Sequence, residues 1–270
     1  MGRKFEKVKL QILVSSHSKA YDIWHITEYF FNKYWKNCPF DIFLGANGED
    51  KREYCPNNWK YINNGIDESW SKSLISYLKD INSKYVLLYV DDTIFLDVPD
   101  CESLFKILNE IEQNDIKMFR LYPNPEPDIK ANSLFGRIDV LSNVPYITSW
   151  NNCIWEKNFL VELLKYDFNP WEFEIKAGKT IEAKKNYNKF YSVYKPVINV
   201  GMFVEKGKFY PFIKELARKD NIDFDFSKRD FLSKKDLMNM KISMIKSQIY
   251  AFIPNKYKNK IRKLIKKDPL

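Results

Sequence analysis

Four cysteines, Cys38, Cys55, Cys101 and Cys153, are spread along 270 residues, and no two form a C-x-x-C pair. That spacing signals neither a zinc knuckle nor a dithiol redox motif, so the four read as reduced and structural. No apolar run approaches the roughly eighteen residues that a membrane span would begin with. The opening MGRKFEKVKL is charged where a secretory signal would be apolar. A cytoplasmic protein is expected. Gly2 does not open a complete myristoylation signal, because Phe5-Glu6 stand where Ser or Thr should be. The signatures of nucleic-acid-binding modules are missing as well, and no nucleic acid is expected as a partner.

What is present is a chain able to bury a full core. Apolar residues make up 45% and aromatics 16%, which excludes intrinsic disorder as the general description. Net charge is +9, and it is unevenly placed. From Lys228 onward there are 13 Lys or Arg against 3 Asp, whereas the preceding residues hold 31 basic against 32 acidic side chains. The expected organisation is therefore a neutral body over residues 1–227 and a basic tail over 228–270. Within the tail, Met238, Ile242, Ile245, Ile249 and Phe252 form one helical stripe, and Pro254 breaks it. Tyr257, Ile261, Leu264 and Ile265 form a second stripe among seven Lys and Arg. A basic amphipathic helix suits an anionic membrane surface, and packing of the first stripe on the body is the plainer alternative.

The most informative stretch is KYVLLYVDDTIFL, residues 84–96. Residues 86–90 are β-branched, aromatic or leucine with no charge, which reads as a strand buried on both faces of a parallel sheet. Asp91 and Asp92 then belong at the strand's C-terminal mouth, the edge where open α/β sheets place ligands. Two adjacent carboxylates suit one hard divalent cation, Mn²⁺ or Mg²⁺, that leaves positions for phosphate oxygens. A strand-ending turn capped by Asp91 is the blander account, and it explains one acid better than two.

Taken in order, residues 7–14 read as a strand ending in the polar loop Ser15-Ser16-His17-Ser18, and residues 21–35 as a helix. Strands come next at 41–44 and 59–62, and Ser69 can cap a helix from Trp70 to about Ile81. Beyond the acids the pattern predicts a helix at 103–111, a strand at 117–122, a loop at 123–127 and a strand at 146–149. A helix at 154–165 comes after these, then NPWEFE at 169–174, with strand-like pieces at 193–197 and 200–204. In NPWEFE, Pro170 with acids in the first turn is an ordinary helix start. A large aromatic beside two carboxylates also suits a sugar, the ring stacking while a carboxylate accepts a hydroxyl proton. Lys206 and Lys208 flank Gly207 and could meet a diphosphate, although such lysines are commonly only solvated. The expected architecture is α/β, a mixed and mostly parallel Rossmann-like sheet flanked by helices.

Residues 15–35 with Asp22-Ile23-Trp24 and Tyr34-Trp35, the Trp70-Ser71 helix leading into LLYVDDTIFL, and the later NPWEFE occur in that order. Together they resemble bacterial GT-A-fold glycosyltransferases that build surface polysaccharides such as capsule, O-antigen or lipooligosaccharide. The likeness runs over residues 7–208. It implies a nucleotide-sugar donor, UDP-sugars first among them, and a glycan or lipid-linked glycan acceptor. It further implies that Ser15, Ser16 and His17, with Asp22 nearby, hold the nucleotide. Asp91 and Asp92 would bind metal or donor hydroxyls, Trp171 the acceptor, and Glu172 or Glu174 would be the base of an inverting enzyme, Glu172 first. A strict Asp-x-Asp would need an acid where Thr93 stands, and metal-dependent members often carry a late histidine, whereas His17 and His25 are both early. Lys206, Lys208 or Arg137 could then stabilise the departing diphosphate. A sugar-phosphate nucleotidyltransferase would share sheet and acids, but its Gly-rich phosphate loop is missing from residues 15–20. A membrane adaptor without catalysis would use the tail but not the acids.

Overall fold

Short apolar runs that are too brief for helices become strands here, and the longer amphipathic segments between them become the helices that cover the sheet. The computed structural model describes residues 10–142 and 146–242. Two units are distinguished, Met1–Phe203 and Val204–Leu270. In the first, the elements are β1 (Leu10–Ser15), α1 (Tyr21–Trp35), β2 (Ile42–Gly45), β3 (Lys60–Ile62), α2 (Trp70–Leu78) and β4 (Tyr85–Val90). Next come β5 (Thr93–Phe95), α3 (Cys101–Gln113), β6 (Met118–Arg120), β7 (Ile129–Lys130), β8 (Phe135–Arg137) and β9 (Cys153–Glu156). The unit closes with α4 (Lys157–Leu164), α5 (Pro170–Lys176), α6 (Ile181–Lys185), β10 (Phe190–Val193) and β11 (Val200–Met202).

Nine strands form one sheet in the order β3-β2-β1-β4-β9-β6-β10-β8-β7. Only β9 and β8 run against the other strands, so the sheet is mixed and mostly parallel as expected. Every residue of β4 is buried, which is what a central strand covered on both faces requires. Alternation then sorts its side chains. Val86 and Leu88 join Leu13, Phe43, Leu74, Tyr77, Leu78, Phe159, Leu160 and Phe173 in one core, beneath α2, α4 and α5. Tyr89 points the other way and meets Phe95, which in turn packs on Phe31 and Trp35 of α1. The Tyr85 hydroxyl on that same face reaches the carbonyl of Ile111 in α3. The result is helix, sheet, helix in three layers.

Two expectations along the chain are corrected. Residues 146–149 form no strand, and Tyr146 has φ of 65°. The strand lies at Cys153–Glu156, where the apolar periodicity predicts the start of a helix, because these residues fill the slot between β4 and β6. The periodicity of Leu160, Leu163 and Leu164 extends naturally backward on paper, but Glu156 stops it. Its side chain accepts from the backbone N–H groups of Asn158 and Phe159, capping α4 at Lys157. The helix starts of α2 and α5 are as expected, with Ser69 accepting from the Lys72 N–H and Asn169 from the Glu172 N–H.

The second unit contains the hairpin of β12 (Val204–Glu205) and β13 (Lys208–Phe209), then α7 (Phe212–Lys219). Phe209, Phe226 and Phe231 pack with ring centroids 5.2–5.5 Å apart and form its apolar centre. Residues 234–242 are helical. The remainder of the expected basic tail, with the second stripe, lies outside the described residues. No helix among the described residues is long and apolar enough to cross a membrane.

Candidate functional site at the C-terminal edge of the sheet

Strand register brings the candidate residues to one edge. Ser15 at the end of β1 pairs with Val90 at the end of β4 and with Gly45 at the end of β2. The chain therefore leaves all three strands at the same level, and Ser16, Ala46 and Asp91 emerge side by side. Gly45 is required there by close approach, since a Cβ would lie 2.5 Å from the Tyr77 ring.

Asp91 is buried and held from two sides. The Ser16 hydroxyl donates to its Oδ2, while the Trp24 indole N–H donates to Ser16 Oγ at 2.7 Å. The buried Thr27 hydroxyl donates to the Asp91 carbonyl at 2.5 Å. The loop after β1 and the first turns of α1 thus fix the first acid, and a late strand fixes the second. Asp92 is half-buried, and its carbonyl accepts from the Phe203 N–H at 2.9 Å, just past β11. β11 itself pairs with β5, Met202 opposite Thr93.

Thr93 stands where a strict Asp-x-Asp would have its second acid, and its environment explains the substitution. It is 2% exposed, and its hydroxyl donates to the Val90 carbonyl at 3.0 Å, closing the turn that starts β5. Its carbonyl also accepts from the Tyr89 hydroxyl at 3.0 Å. A carboxylate could not be accommodated there without burying a charge. Among the described residues no group of three or more His, Cys, Asp or Glu is arranged to hold a metal. The hard oxygen donors Asp91 and Asp92 fit a cation completed by phosphate oxygens of a ligand, and not one caged by protein alone.

His17 Nδ1 accepts from the Lys19 N–H at 2.9 Å, which leaves the neutral ring's proton on Nε2, 2.9 Å from Asp67 Oδ2. Asp67 also accepts from the Ser73 hydroxyl. Ser73 receives a bond from the side chain of buried Asn47, whose Oδ1 accepts from the Asn64 N–H. The loops after β1, β2 and β3 are in this way locked together through His17, Asn47 and Asp67. Asn47 and Asp67 had no signal in the sequence beyond lying in polar loops. Ser15 is a buried strand residue and Asp22 lies in the first turn of α1.

α5 reaches the same edge through residues 149–152. Leu88 pairs with Cys153, and the Asn152 N–H donates to the Leu88 carbonyl at 2.9 Å. Asn152 is buried with φ of 54°, the left-handed region that Asn tolerates better than most residues. Just before it, the Ser149 hydroxyl lies 3.5 Å from Glu174 Oε1.

The two glutamates of NPWEFE differ. Glu172 belongs to a capping box with Asn169 and meets Lys176 Nζ at 2.5 Å. The Lys176 hydrogen bond, then the Asn169 N–H, hold its carboxyl below the usual range. Glu174 is pushed upward by burial, against the pull of Arg120 and the Ser149 hydroxyl. The raised proton affinity that suits a base therefore belongs to Glu174 and not to Glu172. Trp171 is 74% exposed and presents its ring to solvent beside them.

Lys206 and Lys208 belong to the second unit. Lys206 has φ of 51° at the β12–β13 turn, and Lys208 Nζ lies 3.7 Å from Asp236. Arg137 lies on β8, opposite Tyr191. Arg120, absent from the sequence expectations, is the largest surprise. A lone charge inside the strand-like run MFRLY was the signal that could have found it.

No protein-family model matches the sequence, and no curated protein matches it. Solved structures resemble the chain at low identity. TarS 1-349 of S. aureus, solved in complex with UDP, is 14% identical over 70% of this chain and 59% of that chain, with a TM-score of 0.44. The mannosyltransferase PcManGT from Pyrobaculum calidifontis, in complex with GDP-Man and Mn²⁺, is 10% identical over 75% and 59%, with a TM-score of 0.46. A UDP-glucose pyrophosphorylase complexed with UDP-glucose is 7% identical over 72% and 92%, with a TM-score of 0.44. The chain spans 59% of the TarS chain. These likenesses are between folds, and the activities named are those of the neighbours.

Proposed function

We propose that the protein is a glycosyltransferase that moves a sugar from a nucleotide-diphosphate sugar to a hydroxyl of a glycan acceptor, with inversion. The observation that carries this reading is the fully buried β4 delivering Asp91 and Asp92 to a sheet edge, where the Ser16 loop is tied to the Asp91 carboxylate. Ser15, Ser16, His17 and Asp22 would receive the nucleotide. Asp91 and Asp92 would hold a divalent cation against its diphosphate, and such a cation, when bound, supplies charge neutralisation for the departing phosphates.

The acceptor would stack its sugar ring on Trp171, and its hydroxyl would give a proton to a glutamate as the oxygen attacks the anomeric carbon. The new C–O bond forms as the bond from that carbon to the diphosphate breaks, and the nucleoside diphosphate leaves with the electron pair. Glu174 is the better base, because a carboxyl raised by burial takes a proton more readily than Glu172, which Lys176 and Asn169 hold low. The basic stripe at residues 254–270 would bring the enzyme to an anionic membrane carrying a lipid-linked acceptor. Synthesis of a bacterial surface polysaccharide is the corresponding role.

The test is thermal melting of the full chain against a panel of nucleotide sugars and free nucleotides, with and without Mn²⁺. A ligand at ~100 times its dissociation constant adds about 2.7 kcal/mol of stability. One donor should raise the melt, and Asp91→Ala/Asp92→Ala should lose the rise. A panel in which no nucleotide sugar shifts the wild-type melt would remove the glycosyltransferase reading.

A further inference from the structure

Arg120 ends β6 in the middle of the sheet and is 1% exposed. A guanidinium so far from water is costly unless its donors are used, and here Nη1 and Nη2 make three bonds while the buried Nε has no hydrogen-bond partner. Nη1 donates to the Pro125 carbonyl at 2.9 Å, and Nη2 donates to the carbonyls of Tyr146 and Ile147 at 2.8 and 3.0 Å. Two loops are thereby drawn onto one planar group. Tyr146 has φ of 65°, a conformation that a bulky residue adopts only when its surroundings insist. Arg120 takes its carbonyl, and its N–H donates to the Glu174 carbonyl at 3.0 Å.

The clamped segment continues into α5. The Thr148 hydroxyl donates to the Phe173 carbonyl at 2.8 Å, and Ser149 faces the Glu174 carboxylate. Gly178, one turn on, packs so closely that a Cβ there would lie 2.8 Å from the Ile147 side chain. Both the backbone and the carboxylate of Glu174 are thus referred to a segment that Arg120 holds. Around that carboxylate the charged and titratable groups are Arg120 from β6 and Cys153 from β9, which stand opposite each other in register. Asp128, from the loop before β7, also acts on Arg120.

Resting on the assignment of Glu174 as base, we propose that Arg120 is the positioning residue of this site, clamping residues 146–149 so that α5 presents Glu174 at the sheet edge. It touches no substrate. Its effect passes through the two carbonyls and through its charge.

The experiment is a carboxyl ¹³C NMR titration of the full chain labelled at glutamate, with the Glu174 signal assigned by its loss in Glu174→Gln. Arg120→Met should move the Glu174 midpoint upward, because burial then acts without the cation, and Arg120→Lys should move it less. Folded variants with an unmoved midpoint overturn the proposal. Should neither variant fold, the wild type decides. The Arg120 ¹⁵Nε signal should shift across pH with the Glu174 midpoint and stay flat in Glu174→Gln, and a flat wild-type trace overturns the proposal equally. Because no sugar is needed, the outcome is separate from that of the donor panel. With a donor in hand, Arg120→Lys should lower kcat with the donor KM unchanged.

Discussion

The Ser16 hydroxyl donates to the Asp91 carboxylate and at the same time accepts from the Trp24 indole, so the loop after β1, the first helix and the end of β4 share one oxygen. Removing that oxygen breaks two bonds at once. Ser16→Ala removes one bond from the Asp91 carboxylate and takes the acceptor from the buried Trp24 indole N–H, at a cost of about 1–3 kcal/mol for the indole. Urea denaturation should show a lower midpoint with an unchanged slope, and the donor-induced rise in melting temperature should shrink. A variant with wild-type stability and donor response would show that the contact has no part in the site.

Thr93→Asp should not improve cation binding, although it completes an Asp-x-Asp in sequence. Position 93 is 2% exposed and faces the Val90 carbonyl. An added carboxylate would be buried against an acceptor, which costs several kcal/mol unless it takes a proton. Isothermal titration with Mn²⁺ should show no gain in affinity, and the melt should fall sharply.

Glu174→Gln and Glu172→Gln should separate by turnover and by pH. With a donor identified, the first should reduce kcat by ~10²-fold or more while leaving donor binding intact. The second should retain most activity. Glu174 is raised in the fold, so between the ordinary glutamate range and its folded value the native state keeps a proton that the unfolded chain has lost. Its contribution is intact below the unfolded value and is lost as pH rises through the folded one. Glu172 is lowered, so its contribution is present above the unfolded value and is lost as pH falls through the folded value. Denaturation midpoints against pH should therefore flatten on opposite sides in the two variants. Equal turnover losses would leave the base unassigned between them.

Gly45→Ala should destabilise by about 1–3 kcal/mol, as overpacking does, because the new Cβ would lie 2.5 Å from the Tyr77 ring. Tyr77→Leu, itself destabilising because the hydroxyl accepts from the buried Asn47 N–H at 2.7 Å, should make Gly45→Ala cost less, so the pair should be non-additive in a double-mutant cycle. Strict additivity would mean that the ring moves aside freely.

Removal of residues 254–270 should abolish flotation with vesicles of anionic lipid, since each Lys or Arg near such a surface contributes about 1 kcal/mol. Equal flotation of the full and shortened chains would end the membrane role.

Sequence alone was sufficient for the features that local chemistry controls. The charge-free run at residues 86–90 could only be an interior strand, because its side chains leave neither face for water. Asp91 and Asp92 had to emerge at its end, Ser69 announced its helix through the bond that its side chain offers to a free N–H, and Pro170 with acids in the first turn announced another. The α/β architecture came from the alternation of such elements. Pairing was another matter. Whether residues 153–156 were helix or strand depended on the slot between β4 and β6, which no property of CIWE reveals. Likewise, Glu172 and Glu174 stand two residues apart with the same side chain, and adjacency to Trp171 and the turn put Glu172 first. Lys176 stands one helical turn from Glu172, but only the folded chain places Glu174 against Ser149 within the field of Arg120. Proton affinity depends on solvent exposure and nearby charge, and for Glu174 both are decided by residues distant in sequence, whereas the partners of Glu172 lie within about one helical turn of it.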